Sequence, residues 1–114
     1  MYKQGKIILV PFPFTDLSGD KVRPALILNH KIVGDDVTAC FISSKAENKA
    51  GLCEMIIKTT DTSFSKTGLK LNSIIKVNKI ATLDKKVVLG ELGELGSRHM
   101  TEVKLTLKVY LGLR

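Results

Sequence analysis

The chain has 114 residues, a length suited to one domain with a single hydrophobic core. Hydrophobic residues make up 44% and charged residues 25%, and no apolar run approaches the roughly 20 residues that span a bilayer. The formal net charge is +7, from 18 Lys and Arg against 11 Asp and Glu. This balance favours polyanionic partners, and since no block of consecutive basic residues occurs, folding has to assemble any basic site.

The N-terminal residues 1–6 lack the apolar core of a secretory signal, so we expect a cytoplasmic protein. The cysteines Cys40 and Cys53 and the histidines His30 and His99 do not have the spacing of a tetrahedral zinc site. We therefore expect no zinc site, and we expect no other metal and no cofactor. Cys40 lies in an apolar stretch and is predicted to be a buried thiol outside any disulfide.

Apolar, β-branched runs bounded by turn residues predict six strands. They are expected at residues 5–12, 23–29, 36–44, 52–58, 73–81 and 87–92. Residues 12–22 are predicted to form a loop, and residues 59–66 a loop or one short helical turn that Gly68 ends. Strands of this length and spacing predict a small barrel or sandwich rather than βαβ units.

The C-terminal segment fits two periodicities. Ser97 can cap a helix whose apolar stripe is Met100, Val103, Leu107, Tyr110 and Leu111. Alternate positions are also apolar throughout, as in a strand: Val103, Leu105, Leu107, Val109 and Leu111. The periodicity of apolar residues alone favours a strand for this segment.

Arg23 stands where a glycine-containing loop meets the second predicted strand. A guanidinium stays charged near neutral pH and matches phosphate oxygens in a bidentate manner. In a basic chain this position favours a phosphate-bearing ligand. The alternative is a partly buried arginine paired with Asp16, Asp20 or Asp84.

Several segments, in this order, resemble the MazF/PemK family of bacterial toxin ribonucleases. They are residues 5–10 (GKIILV), 11–16 (PFPFTD), 21–28 (KVRPALIL), 41–44 (FISS), 73–77 (SIIKV) and 79–85 (KIATLDK). The resemblance implies a single toxin domain over residues 1–114, mainly β with a C-terminal helix. The expected architecture is an SH3-like, partly open β-barrel, the MazF/CcdB-like toxin fold, usually a symmetric homodimer. It therefore favours the helix for about residues 97–111.

The same resemblance implies metal-independent, sequence-specific cleavage of single-stranded RNA by the toxin of a type II toxin–antitoxin system. In this reaction a ribose 2′-hydroxyl attacks the adjacent phosphorus and leaves a cyclic phosphate. Arg23 matches the essential arginine of the family, and Ser43 matches its second catalytic residue, which is Thr or Ser. The implied partners are single-stranded RNA and a cognate acidic antitoxin, with no membrane.

Further RNA contacts are implied by the same match, which places the first long loop over the RNA groove. The candidate RNA-binding residues are Phe14, Asp16, Ser18, Lys21, Pro24, Ser44, Lys45 and Lys79. Ala81 stands where many relatives have arginine, which predicts altered sequence preference or weaker cleavage.

Two other functions are open for the same fold. A gyrase-poisoning toxin would act by binding protein and needs no catalytic pair. A catalytically inactive relative would bind RNA or protein only, and Ala81 is the residue that favours this interpretation.

Overall fold

A computed structural model describes residues 2–11, 22–31, 33–44 and 50–114. Its strands are β1 (Lys6–Pro11), β2 (Val22–Ile27), β3 (Asp36–Ser43), β4 (Glu54–Ile57), β5 (Ser73–Asp84) and β6 (Gly90–Glu94). One α-helix, α1 (Ser97–Leu111), follows, and short 3₁₀ turns lie at Phe64–Thr67 and Lys85–Val87. Phe14, Asp16, Ser18, Lys21 and Lys45 lie outside the described residues.

The six strands form one antiparallel sheet in the order β4-β5-β3-β2-β1-β6. β5 is the longest strand and pairs with both β3 and β4. Its register against β3 shifts between Cys40, opposite Ile80, and Phe41, opposite Lys76. Such a bulge bends a strand and increases its twist, so the sheet curls. The resulting half-barrel with one C-terminal helix confirms the predicted SH3-like, partly open architecture.

Because successive side chains of a strand point to opposite faces, the buried residues form two clusters, one on each face of the sheet. One face, with α1 packed on it, carries the cluster Ile7, Leu26, Cys40, Ile42, Met55, Ile57, Ile75, Val77, Met100 and Val103 with further neighbours. The other face carries the second cluster, Ile8, Val10, Ala25, Ile27, Val37, Ala39 and Phe41. Each fully buried aliphatic side chain stabilises the fold by about 1.5–3 kcal/mol. Alternation thus determines which strand residues can reach each surface.

The helix α1 decides between the two C-terminal periodicities. Met100 and Val103, one turn apart, are buried in the first cluster, so the strand interpretation is wrong. The predicted cap is also wrong, because Gly96 is the N-cap residue and Ser97 is the first helical residue. Tyr110 and Leu111 are exposed, so only the first half of the predicted stripe packs on the sheet.

Two strand boundaries differ from the prediction by three residues, and the others differ by at most two. The sixth strand begins at Gly90 rather than at residue 87, because the preceding residues form a 3₁₀ turn. The Asp84 carboxylate accepts a hydrogen bond from the Lys86 N–H at 2.9 Å, and this caps the turn. The fifth strand continues to Asp84, past the predicted end, because its outer half pairs with the first half of β3.

Cys40 is buried and Cys53 is half-buried, and both thiols are free. The prediction of a buried thiol at Cys40 is confirmed. Among the described residues, no helix has the length and apolar character needed to cross a membrane.

Candidate functional site

Arg23 lies near the start of β2, opposite Val10 of β1, and its side chain is half-buried. By alternation it shares a face with Ala25 and Ile27, which belong to the second core cluster. Its Nε atom is buried and its N–H donates to no acceptor among the residues that the structure describes, so this donor is unsatisfied there. A buried donor without a partner costs free energy, which a ligand with acceptor oxygens would recover.

The predicted alternative for Arg23 was a structural ion pair. Its candidate partners Asp16 and Asp20 lie outside the described residues. Asp84 is excluded, because it pairs with Asp36 at the opposite end of β3 from Ser43. Seven residues of strand separate these ends by about 23 Å, at roughly 3.3 Å per residue.

Phe41 provides the surface beside the Arg23 guanidinium. The Arg23 Cζ atom lies 5.7 Å from the centroid of the Phe41 ring. The ring itself is only 7% exposed and packs in the second cluster, so its position is held by the core. A cation near an aromatic face gains about 0.5–2 kcal/mol, depending on how far it is desolvated. The core therefore orients the guanidinium although β2 has only just begun.

Ser43 is the last residue of β3, lies opposite Ile74 of β5 and is buried. Ala25 of β2 and Phe41 of β3 are paired in the register of these two strands. Arg23 lies two residues before Ala25, and Ser43 lies two residues after Phe41. Extending this register brings Arg23 and Ser43 opposite each other on one face of the sheet. The structure thus brings the two candidate catalytic residues to the same place.

Pro24 determines where the β2–β3 ladder stops. The Leu28 N–H donates to the Thr38 carbonyl on β3 at 2.8 Å, so alternate residues of β2, including position 24, face β3. Proline has no N–H to offer there, and the ladder ends at the pair Ala25–Phe41. Arg23 and Ser43 consequently lie just beyond the last paired residues of the β2–β3 ladder.

The remaining described candidates lie at different positions. Ser44 is exposed and lines a shallow depression of about 380 Å³ with Thr59, Leu71 and Asn72. Lys79 is exposed in residues 77–79 of β5, which have no partner in β3, away from the row that contains Phe41. The structure therefore groups Arg23, Pro24 and Ser43, with Ser44 following, but does not group Lys79 with them.

Lys76 is a residue that the sequence interpretation missed. It lies opposite Phe41 in the register of β3 and β5, and its Nζ atom is 5.9 Å from the Phe41 ring centroid. Arg23 and Lys76 thus approach the same ring from the two strands that flank β3. The available signal was a single lysine between the buried apolar residues Ile75 and Val77.

Neither histidine lies with this group. His30 is exposed beyond the far end of β2. His99 belongs to α1, which packs on the opposite face of the sheet, and its Nε2 atom is 3.6 Å from an Asp61 carboxylate oxygen. Among the described residues, no group of three or more His, Cys, Asp or Glu residues could hold a metal ion.

The sequence model of PemK-like, MazF-like toxins of type II toxin–antitoxin systems matches residues 3–111. The chain belongs to this toxin family. The resemblance recognised in the sequence is thereby confirmed. Comparison with curated protein sequences yields no match.

Solved structures of this family share the fold. A mycobacterial endoribonuclease in complex with its cognate antitoxin matches with a TM-score of 0.76 at 20% identity, over 100% of this chain and 98% of that one. MazF from Deinococcus radiodurans matches with a TM-score of 0.74 at 21% identity, over 98% and 97%. The Mycobacterium tuberculosis toxin MazF-mt6 matches with a TM-score of 0.72 at 18% identity, over 96% and 98%. At these identities the likeness establishes the fold.

Proposed function

We propose that the chain is the toxin of a type II toxin–antitoxin system and acts as a metal-independent, sequence-specific endoribonuclease on single-stranded RNA. The observation that carries this proposal is the placement of Arg23 and Ser43 on one face, beyond the end of the β2–β3 ladder. Family membership supports a toxin. The name of the mycobacterial structural neighbour, an endoribonuclease bound to its antitoxin, supports the activity and the protein partner.

In the proposed reaction, a ribose 2′-oxygen forms a bond to the adjacent phosphorus and loses its proton. The bond from phosphorus to the 5′-oxygen breaks, and that oxygen takes up a proton. The products are a cyclic phosphate and a free 5′-hydroxyl. Negative charge accumulates on the non-bridging oxygens as the phosphorane forms, and fixed donors aimed at them lower the barrier.

Arg23 is assigned to these non-bridging oxygens. A guanidinium can offer several N–H donors to phosphate oxygens, and the unsatisfied Nε–H of Arg23 is a donor that the fold already holds in place. The Ser43 hydroxyl is assigned as a second donor to a phosphate oxygen. Pro24 and Ser44, their neighbours in sequence, are assigned to RNA binding beside the scissile phosphate, as is Lys79 further along the sheet.

Digestion of a mixed single-stranded RNA in EDTA tests this assignment. The unmodified protein should cleave, Arg23→Ala should reduce the rate at least about 100-fold, and Ser43→Ala should reduce it by about 10- to 100-fold. Arg98→Ala and Ser65→Ala are matched controls, because both residues are exposed and lie outside the Arg23 face. Cleavage that requires a divalent cation, or that survives Arg23→Ala, contradicts the proposal.

The two rival functions give different results in the same preparation. Intact RNA together with gyrase-dependent DNA breaks indicates a gyrase-poisoning toxin. Intact RNA without such breaks indicates a binding module that lacks catalysis.

The proposed partners follow from charge and from exposed apolar surface. The net charge of +7 suits an acidic, partly disordered antitoxin segment as well as RNA. Overproduction should arrest growth, co-expression of the cognate antitoxin should reverse the arrest, and Arg23→Ala should abolish it. Normal growth at high soluble expression contradicts the toxin assignment. We also propose a homodimer, because α1 exposes Leu105 and Val109 on the surface that faces away from the sheet.

A further inference from the structure

We propose that Lys76 is a second phosphate-binding residue of this site, which contacts the phosphate next to the scissile one. This assignment rests on the RNA-cleaving function proposed above. It adds to the Arg23–Ser43 pair a cation from a different strand. The substrate class that it requires is a polyanionic strand with at least two consecutive phosphates.

The first observation is the shared ring. Arg23 Cζ and Lys76 Nζ lie 5.7 and 5.9 Å from the centroid of the same Phe41 side chain. Phe41 is held in the core, so it fixes both cations relative to each other. Since β2 and β5 are the two neighbours of β3, the cations reach the ring from opposite sides of that strand. Two cations held in this way form a short positive track rather than one point charge.

The second observation is that Lys76 makes no ion pair with any described residue. Glu54 lies opposite it in the register of β4 and β5. However, the Glu54 Oε1 atom accepts a hydrogen bond from the Gly51 N–H at 2.9 Å. By contrast, Lys85, which follows the other end of β5, pairs with Asp35 at 3.2 Å. Among the described residues, none compensates the Lys76 charge, whereas Asp35 compensates the Lys85 charge.

The third observation is that the backbone at Lys76 is held by buried neighbours. Its neighbours Ile75 and Val77 are both fully buried, so the backbone that carries it is part of the core. Lysine is a compact charge that binds phosphate without a fixed geometry, whereas arginine offers a planar fork. We therefore assign the transition-state contact to Arg23 and the neighbouring, ground-state contact to Lys76. Its loss should raise KM while leaving kcat nearly unchanged.

The experiment uses an RNA oligonucleotide that contains one site cleaved by the unmodified protein. Lys76→Met should raise KM about five- to tenfold and change kcat less than about threefold, and Lys76→Arg should restore KM. The salt dependence of binding to a non-cleavable analogue, with a 2′-deoxy residue at the scissile position, should fall by about 0.7 in log–log slope, the value for one lost contact to a single strand. Lys86→Met is the matched control, since Lys86 is exposed beyond the far end of β5.

A neutral methylphosphonate placed beside the scissile phosphate identifies the contact. At one of the two flanking positions it should weaken binding of the unmodified protein and have little further effect on Lys76→Met. If Lys76→Met equals Lys86→Met in KM and in salt slope while the unmodified protein cleaves, the role of Lys76 is wrong and the proposed function stands. A large fall in kcat at unchanged KM also overturns it, in favour of a catalytic role. If the unmodified protein leaves RNA intact, the proposed function fails, and this role of Lys76 fails with it.

Discussion

The guanidinium of Arg23 and the ring of Phe41 lie 5.7 Å apart, on adjacent strands, at the point where the backbone ladder between these strands ends. Phe41 belongs to the core, whereas Arg23 stands at its margin. The ring, which the core holds in place, therefore orients the charged Arg23 side chain. The backbone at Arg23 is paired on one side only, with β1.

Phe41→Leu tests this relationship. Leucine preserves an apolar side chain but removes the aromatic face, so the cation loses its orientation. We expect cleavage to fall about tenfold, with about 1–1.5 kcal/mol lost from the free energy of unfolding. Phe64→Leu is the matched control, because Phe64 is equally buried but lies in the other cluster. It should lose comparable stability and retain cleavage, and equal activity losses in the two variants would contradict the role of the ring.

Two glycines of β6 should differ in their tolerance of a methyl group. A Cβ at Gly93 would lie 2.1 Å from the Lys66 carbonyl oxygen, whereas a Cβ at Gly90 meets nothing within 4 Å. The 3₁₀ turn Phe64–Thr67 must therefore move when Gly93 is replaced. Gly93→Ala should cost about 3 kcal/mol or more of unfolding free energy, and Gly90→Ala less than about 1 kcal/mol. Urea denaturation measures both, and equal midpoints would show that the turn is not packed on Gly93.

The Cys40 thiol should give the fold a pH dependence in the alkaline range. Burial raises the pKa of Cys40 from 9.0 to about 12. The unfolded chain therefore loses this proton from about pH 9, whereas the folded protein keeps it until about pH 12. The stability contributed by the neutral buried thiol is complete below pH 9 and is lost as the pH rises toward 12, by about 1.4 kcal/mol per pH unit.

Urea denaturation between pH 8 and pH 10.5 measures this slope, and Cys40→Ala should remove it. In native protein, iodoacetamide should label the half-buried Cys53 first. Rapid labelling of Cys40 at pH 9 without unfolding would contradict its burial.

The exposed apolar residues of α1 should control the oligomeric state. Leu105 is 58% and Val109 is 83% exposed. Replacement of either by Glu should shift the mass measured by light scattering at micromolar concentration from dimer to monomer, because a charge cannot be buried without a partner. Thr101→Glu, at an exposed position nearer the start of the helix, should remain dimeric. A monomeric mass for the unmodified chain would rule out the dimer itself.

The apolar runs and turn residues were sufficient to predict six strands, a small barrel or sandwich, and the buried Cys40. The resemblance to the toxin family was needed for the helix, since alternation between Val103 and Leu111 favours a strand. Contacts of Met100 and Val103 with the sheet override that alternation. The alternation was a weak guide because Leu105 and Val109 are exposed and pack on no described core residue.

The sequence was sufficient to predict that Arg23 lies between a loop and a strand and that it suits a phosphate ligand. The surroundings of Arg23 could not be predicted from the sequence. They include the ring of Phe41, the end of the ladder beside Pro24 and the nearby Lys76. These contacts depend on which residues of separate strands are paired. Alternation along one strand determines the face of a side chain, but its neighbours across the sheet depend on register. In this chain the bulge in β5 sets that register, because it shifts the partners of β3 between Cys40 and Phe41 and so places Lys76 beside the ring.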